Sequence, residues 1–518
     1  MSSQEYLSTR DSSPPYLSFE DTVLRGLAPG GGLFIPAAIP TLPADFLTTW
    51  KDLSFEDLAF NVFSLYISAD EIPAADLKNL IAASYSTFRS DTVTPLVPLD
   101  KARKLYLLEL FHGPTYAFKD VALQFVGNLF EYFLTRRNAG KDPKDPARER
   151  LTVVGATSGD TGSAAIYGLR NKTDVSIFIL HPQGKVSPVQ ELQMTTVTDP
   201  NVHNLAVKGN FDDCQDIVKS LFDDKQFNDK HHLGAVNSIN WARILAQITY
   251  YFHSYFSLLR LSSGADKPTV KYVVPTGNFG DILAGFYAKR MGLPIAKLVV
   301  ATNSNDILDR FWKSGVYEKN PAAATSGEEA VKETLSPAMD ILISSNFERL
   351  LWYLARENLA ATPIEAGQIL QSWMVELKTT GKVAVPRPVL AAGLAEFSSE
   401  AVSDAQTVDT IKSVYSSSQK YVLDPHTAVG VTASLRNIAA DPSAYYISLS
   451  TAHPAKFGDA VDRALAGVDD VYSFDKVLPE DFKKLESLPK NVTLVDKPDR
   501  ELVKAEIEKA LKEEGVVF

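Results

Sequence analysis

The chain has 518 residues, 45% apolar and 22% charged, with 28 Gly and 29 Pro, which excludes a mainly disordered, collagenous or coiled-coil protein. Lysine and arginine total 52 against 63 acidic residues, a net charge of −11 that argues against an extended nucleic-acid or anionic-membrane surface and leaves room for a local anion pocket. At roughly 150 residues per domain, the length corresponds to about two to four domains.

The single cysteine, Cys214, allows neither an intrachain disulfide nor a multi-cysteine zinc site, and its acidic neighbours Asp212 and Asp213 mark it as structural. No apolar run approaches the roughly 18 residues of a spanning helix. The N-terminus lacks the pattern of a secretory signal, and Glu5, Asp11 and Glu20 argue against a mitochondrial presequence. A cytoplasmic protein with no membrane, nucleic-acid or obligate protein partner is expected.

The first hundred residues are punctuated by Pro and Ser, with helical periodicity over Leu53–Ser68 and Ala74–Ala83. From Leu105 onward the pattern becomes short apolar runs, each followed by an amphipathic stretch. Strands are predicted at Lys104–Leu110, Leu151–Gly155, Val175–Leu180, Lys271–Val274 and Lys297–Ala301. Helices are predicted at Asp120–Leu134, Ser163–Leu169 and Ile282–Met291, with a long one opening at Val236–Arg243 and running to about Leu259. This alternation implies open, mostly parallel twisted sheets flanked by helices, an α/β fold. Arg137–Arg150 reads as an exposed loop and Lys319–Pro337 as a solvated insertion, with a mobile flap as the alternative.

Three of these junctions are suited to an anion. Ala156-Thr157-Ser158-Gly159-Asp160-Thr161-Gly162 joins a strand to a helix whose first N–H groups have no intrahelical acceptor. Pro275-Thr276-Gly277-Asn278-Phe279-Gly280-Asp281 repeats the arrangement, without the lysine of a Walker loop or the spacing of a dinucleotide fingerprint. Asn237, Ser238 and Asn240 supply caps to the long helix, while Arg243 places a cation in its first turn against the dipole. An anion bound there resolves that conflict; ordinary turns and caps are the alternative at all three.

Lys119 follows an apolar, aromatic run, Phe111-His112-Gly113-Pro114-Thr115-Tyr116-Ala117-Phe118, and burial there disfavours its ammonium form, as a Schiff-base lysine requires. A surface lysine paired with Asp120 is the alternative. His231 and His232 are adjacent in sequence and have no third ligand nearby, so no metal is expected. His112 and His453 read as packing or hydrogen-bonding residues. Asp424 and Thr427 mark a helix start, and Lys185 and Lys456 follow turns near strand ends, where they read as exposed lysines, with approach to a phosphate as the alternative.

Taken together, Gly113–Asp120, Thr157–Gly162, Asn237-Ser-Ile-Asn-(two residues)-Arg243 and Gly277–Gly280 resemble threonine synthases. Tyr6–Arg10, Ser18–Asp21, Gly31–Pro36, Ser344–Arg349, Asp424–Thr427 and Ser450–Pro454 extend the likeness, in motif order, over almost the whole chain, closest to the long fungal and bacterial form.

The resemblance implies a fold-type-II pyridoxal 5'-phosphate enzyme that converts O-phospho-L-homoserine and water to L-threonine and phosphate. It assigns the Schiff base to Lys119 and the cofactor-phosphate cradle to Gly277, Asn278, Phe279 and Gly280. Ser158, Gly159, Asp160 and Thr161 fall to the loop that grips the substrate carboxylate, with Asp160 beside the cofactor ring. Asn237, Ser238 and Arg243 fall to the substrate phosphate, and Thr451 to the pyridine nitrogen. The expected division is an N-terminal extension over 1–98, a smaller α/β domain with the lysine over 99–210, and a larger one over 211–518. A related phospho-lyase releasing a keto acid and ammonia, or a non-catalytic pyridoxal-phosphate protein, are the competing functions.

Overall fold

The computed structural model describes residues 4–262, 267–319, 331–417 and 420–516. Part of the expected insertion, residues 320–330, lies outside them. In chain order the strands are β1 (Tyr6–Ser8), β2 (Phe34–Pro36), β3 (Leu96–Asp100), β4 (Leu105–Glu109) and β5 (Leu151–Ala156). They continue as β6 (Val175–Pro182), β7 (Val202–Val207), β8 (Leu233–Gly234), β9 (Val270–Pro275) and β10 (Ile295–Thr302). The last are β11 (Val316–Glu318), β12 (Lys382–Ala384), β13 (Phe397–Ala401), β14 (Tyr445–Ser450) and β15 (Thr493–Val495).

Two sheets dominate. One has six strands in the order β13-β10-β9-β14-β4-β3, parallel except where β3 runs against β4. The other has five, β15-β7-β6-β5-β8, all parallel. Every residue of β6 is buried, as expected of a β-branched and aromatic run covered on both faces.

Sheet membership does not follow the division expected at 99–210 and 211–518. β3 and β4 belong to the six-stranded sheet, whereas β8 and β15 complete the five-stranded one. A consecutive βα rhythm identifies strands; which sheet each strand joins is decided by pairing with strands far away in sequence.

Helix Trp241–Leu261 is buried from Trp241 through Phe256, as a helix that is enclosed on all sides must be. The N-terminal extension packs on it: Tyr6 and Tyr66 place their rings 5.8 Å and 5.6 Å from Trp241, and helix Phe55–Phe63 lies alongside. Helix Ala74–Tyr85 packs on helix Lys119–Arg137. Cys214 is buried in the five-stranded half, where burial and Asp213 push its thiol up to about 11. No helix among the described residues is long and apolar enough to cross a membrane.

Candidate active site

Each loop singled out above follows the C-terminal end of a parallel strand, where open α/β sheets present ligand sites. β4 leads to Lys119, β5 to the 157–162 turn, β9 to the 277–280 turn and β14 to Thr451.

Asp120 shapes the turn that carries Lys119. Its carboxylate accepts from Thr115 N at 2.8 Å and Thr115 Oγ1 at 2.7 Å, and burial pushes it up to about 6 against those bonds. Tyr116 adopts a left-handed φ of 60° in the same turn. Phe118 N donates to Thr451 O at 2.8 Å and His453 N to Tyr116 O at 3.0 Å, so Thr451 lies beside the lysine turn and is itself buried. Next to it, Ser450 Oγ is 3.0 Å from Thr427 Oγ1, whose helix is capped by Asp424.

Lys119 is only 8% exposed. Burial lowers its pKa to about 8; Asp160 opposes that, while Arg243 and Lys456 reinforce it. A buried amine poised near neutrality is a nucleophile and a base.

Thr157 organises the second turn, its Oγ1 accepting from Gly159 N at 3.0 Å and Gly162 N at 2.9 Å. Gly159 has φ 150°, and a Cβ there would meet Gln190 Oε1 at 2.3 Å. Asp160 opens the following helix, with Oδ1 2.7 Å from Lys456 Nζ and accepting from Gln190 Nε2 at 2.7 Å. Burial acts to raise the Asp160 carboxyl, but Lys456 and Lys119 outweigh it and hold it well below the usual range.

The expectation of an exposed Lys456 is corrected here: its side chain is fully buried. The short 3-10 turn Pro454–Lys456 directs it inward, onto Asp160 and the Thr115 carbonyl. Its proximity to the Ser450–Pro454 motif was the available signal; its ion-pair partner lies almost three hundred residues upstream, so burial was not readable locally. Gln190 was missed for the same reason. Lys185 is exposed.

The 277–280 turn and the start of the long helix meet around Asn346. Asn346 Nδ2 donates to Ser238 O at 3.1 Å and Asn278 O at 2.9 Å, and Ser345 Oγ lies 3.2 Å from Asn278 Oδ1 and 3.5 Å from Ser238 Oγ. Phe279 adopts φ 62° and precedes helix Gly280–Met291, and a Cβ on Gly277 would meet Ala338 O at 2.8 Å. Asn237 is exposed at the rim. Arg243 is buried, yet its Nε and Nη1 have no hydrogen-bond partner, and burial lowers its pKa to about 10.

An unpartnered buried guanidinium is costly unless an anion completes it. The donor set around it fits pyridoxal phosphate and a phosphorylated substrate: one amine, a helix N-terminus behind a left-handed turn, and neighbouring hydroxyls. Among the described residues no group of three or more His, Cys, Asp or Glu is placed to hold a metal ion.

The two sheets, with a buried lysine after a parallel strand and a glycine turn before a helix, are those of a fold-type-II pyridoxal-phosphate enzyme. Residues 88–386 match the family model of pyridoxal-phosphate dependent enzymes, residues 5–85 that of the threonine synthase N terminus, and residues 427–507 that of the threonine synthase C-terminal region. The chain is 60% identical to threonine synthase of Saccharomyces cerevisiae, over 98% of both chains, and 58% identical to that of Schizosaccharomyces pombe, over 99% of this chain and 100% of the other. The crystal structure of the yeast enzyme superposes with a TM-score of 0.93 over 99% of both chains at 60% identity. A pyridoxal-phosphate-bound threonine synthase from Brucella melitensis gives 0.86 at 42% identity, over 98% of this chain and 99% of that one. The chain belongs to the threonine synthase family, and its function is that of a pyridoxal-phosphate-dependent lyase of threonine biosynthesis.

Proposed function

We propose that O-phospho-L-homoserine and water become L-threonine and phosphate between Lys119 and Arg243, with the loops described above as the binding frame. The observation that carries this reading is the pairing of a buried amine of lowered pKa with a buried guanidinium lacking partners at Nε and Nη1. One end of the pocket is prepared for proton transfer and the other for a phosphate.

Lys119, with Gly277, Asn278, Phe279 and Gly280, would hold the cofactor, with Thr451 at the pyridine end and Asp160 beside the ring. Bound pyridoxal phosphate supplies the electron sink that makes substrate Cα–H and Cβ–H acidic. Lys119 Nζ removes the α-proton and returns a proton at the end of the reaction. Ser158, Gly159 and Thr161 receive the α-carboxylate at the start of their helix, where negative charge is favoured. Arg243, Asn237 and Ser238 receive the γ-phosphate, and Arg243 stabilises the charge that develops as it leaves. Phosphate retained there orients the water that adds at Cβ.

The test has two parts. Borohydride reduction of the holoprotein should leave an adduct that peptide mapping assigns to Lys119. Incubation with O-phospho-L-homoserine should release threonine and phosphate in equal amounts, without ammonia. An adduct on another lysine, or ammonia in place of threonine, overturns the reading. Arg243→Ala with unchanged phosphate release and threonine formation overturns the phosphate site.

A further inference from the structure

Lys456 ties together two turns that approach the pocket from different sheets. Its Nζ donates to Thr115 O at 2.9 Å, in the turn that carries Lys119, and lies 2.7 Å from Asp160 Oδ1. Its side chain is 0% exposed, so this is an ion pair without water to weaken it. Gln190 Nε2 donates to the same oxygen at 2.7 Å and Ser187 Oγ to Gln190 Oε1 at 2.9 Å, which fixes Asp160 from the other side.

The charged groups that act most strongly on Lys119 are Asp160, Arg243, Lys456 and Asp120. Asp120 is engaged by Thr115, through both N–H and hydroxyl. Arg243 repels. Asp160 is the charge that acts most strongly on Lys119, favouring its ammonium form, while its own ion pair, at 2.7 Å, is with Lys456. A buried amine beside a free carboxylate holds its proton to higher pH than one whose carboxylate is already paired.

We propose that Lys456 is a positioning residue that occupies Asp160 and so keeps it from pairing with Lys119, leaving the Lys119 amine free to attack an aldehyde. In that attack the neutral amine's lone pair forms the C–N bond, and its two N–H protons leave with the aldehyde oxygen as water. The proposal rests on the reading of Lys119 as the amine that takes the cofactor. It adds that a second buried lysine, itself making no bond to cofactor or substrate, sets the protonation of the first.

The experiment reads Lys119 directly. The full-length chain, stripped of cofactor, is trace-methylated with formaldehyde and cyanoborohydride across a pH series, and labelling of Lys119 is followed by peptide mass spectrometry. The wild-type midpoint is expected near 8. Lys456→Met and Lys456→Gln both move it upward by about 1 pH unit, the size of effect a released carboxylate has on a nearby amine. Gln keeps a donor for the Thr115 carbonyl, so it serves if Met impairs folding. In an Asp160→Asn background the same Lys456 substitutions move the midpoint by less than half as much, because no carboxylate remains to be released. An unchanged midpoint in the folded Lys456 variants overturns the proposal, as does a shift of equal size with and without Asp160, which is the signature of plain repulsion. Mapping of the borohydride adduct is separate: an adduct away from Lys119 defeats the underlying assignment, whereas an adduct on Lys119 with an unmoved midpoint defeats this inference alone.

Discussion

Gly127 and Gly168 meet backbone to backbone: a Cβ on Gly127 would lie 1.8 Å from the Gly168 carbonyl oxygen, and one on Gly168 would lie 2.5 Å from the Leu123 oxygen. The helices in contact are Lys119–Arg137 and Asp160–Leu169, and their first residues are the two charges at the centre of the pocket. Gly168 lies at the end of its helix opposite Asp160, and Gly127 midway along the other, so this close approach fixes how the two helices that carry Lys119 and Asp160 pack together.

Gly168→Ala should therefore be felt at a distance. Forcing the helices apart costs about 1–3 kcal/mol, read as a lower urea midpoint, and should reduce kcat although no site residue is altered. Normal kcat in a destabilised variant would show that the pocket tolerates the displacement.

Arg243→Met is expected to separate stability from function. Removing a buried charge without a partner should stabilise the ligand-free protein by about 1 kcal/mol or more, while weakening binding of the phosphorylated substrate by about 2–5 kcal/mol. With cofactor bound, so that the 277–280 turn is already filled, inorganic phosphate should raise the melting temperature of the parent protein and not of the variant. A destabilised variant that still responds to phosphate would contradict the role given to Arg243.

Asp281 confers a pH dependence of defined sign. It follows the 277–280 turn, accepts from the Tyr251 hydroxyl at 3.1 Å and from that of Tyr250, and burial raises its carboxyl to about 7. Between its unfolded pKa and 7 the native state binds more protons than the unfolded one, so this group's contribution is fully present at acidic pH and is lost as pH rises through 7. Asp281→Asn should flatten that part of the stability–pH curve. Urea unfolding at several pH values measures it; an unchanged slope would mean that Asp281 is ionised throughout.

Arg349 links three parts of the chain. Fully buried, it donates from Nε to Phe34 O at 2.9 Å, from Nη2 to Ile239 O at 2.7 Å, and from Nη1 to Asn346 Oδ1. Arg349→Met leaves buried carbonyls unpaired, at about 1–3 kcal/mol each. Faster proteolysis within the N-terminal extension and a raised KM for the phosphorylated substrate are expected together. A raised KM without faster proteolysis would confine Arg349 to the site.

Much of this was legible in the sequence. Lys119, the turns at 157–162 and 277–280 and the helix start before Arg243 are local patterns, since a strand, a glycine turn and a helix of limited length suffice to place backbone N–H groups around an anion. The N-cap at Asp424 was legible for the same reason, its side chain accepting from His426 N and Thr427 N only a few residues away. Lys456 was not legible, because a lysine after a short proline turn is normally solvated, and its inward course depends on Asp160 and Thr115 in distant parts of the chain.

The sequence by itself thus determined the groups present: one lysine in an apolar run, one arginine at a helix start, and glycine turns that leave helix N–H groups unpaired, on a chain of net charge −11. Only the tertiary structure decided how those charges are shared. β4 joined the six-stranded sheet and β5 the five-stranded one, so Lys119 and Asp160 arrive from different sheets. Gly127 and Gly168 let their helices touch, and Lys456 paired with Asp160 where water is excluded. Strand pairing and desolvation act between residues far apart in the chain, so neither is written in any single segment.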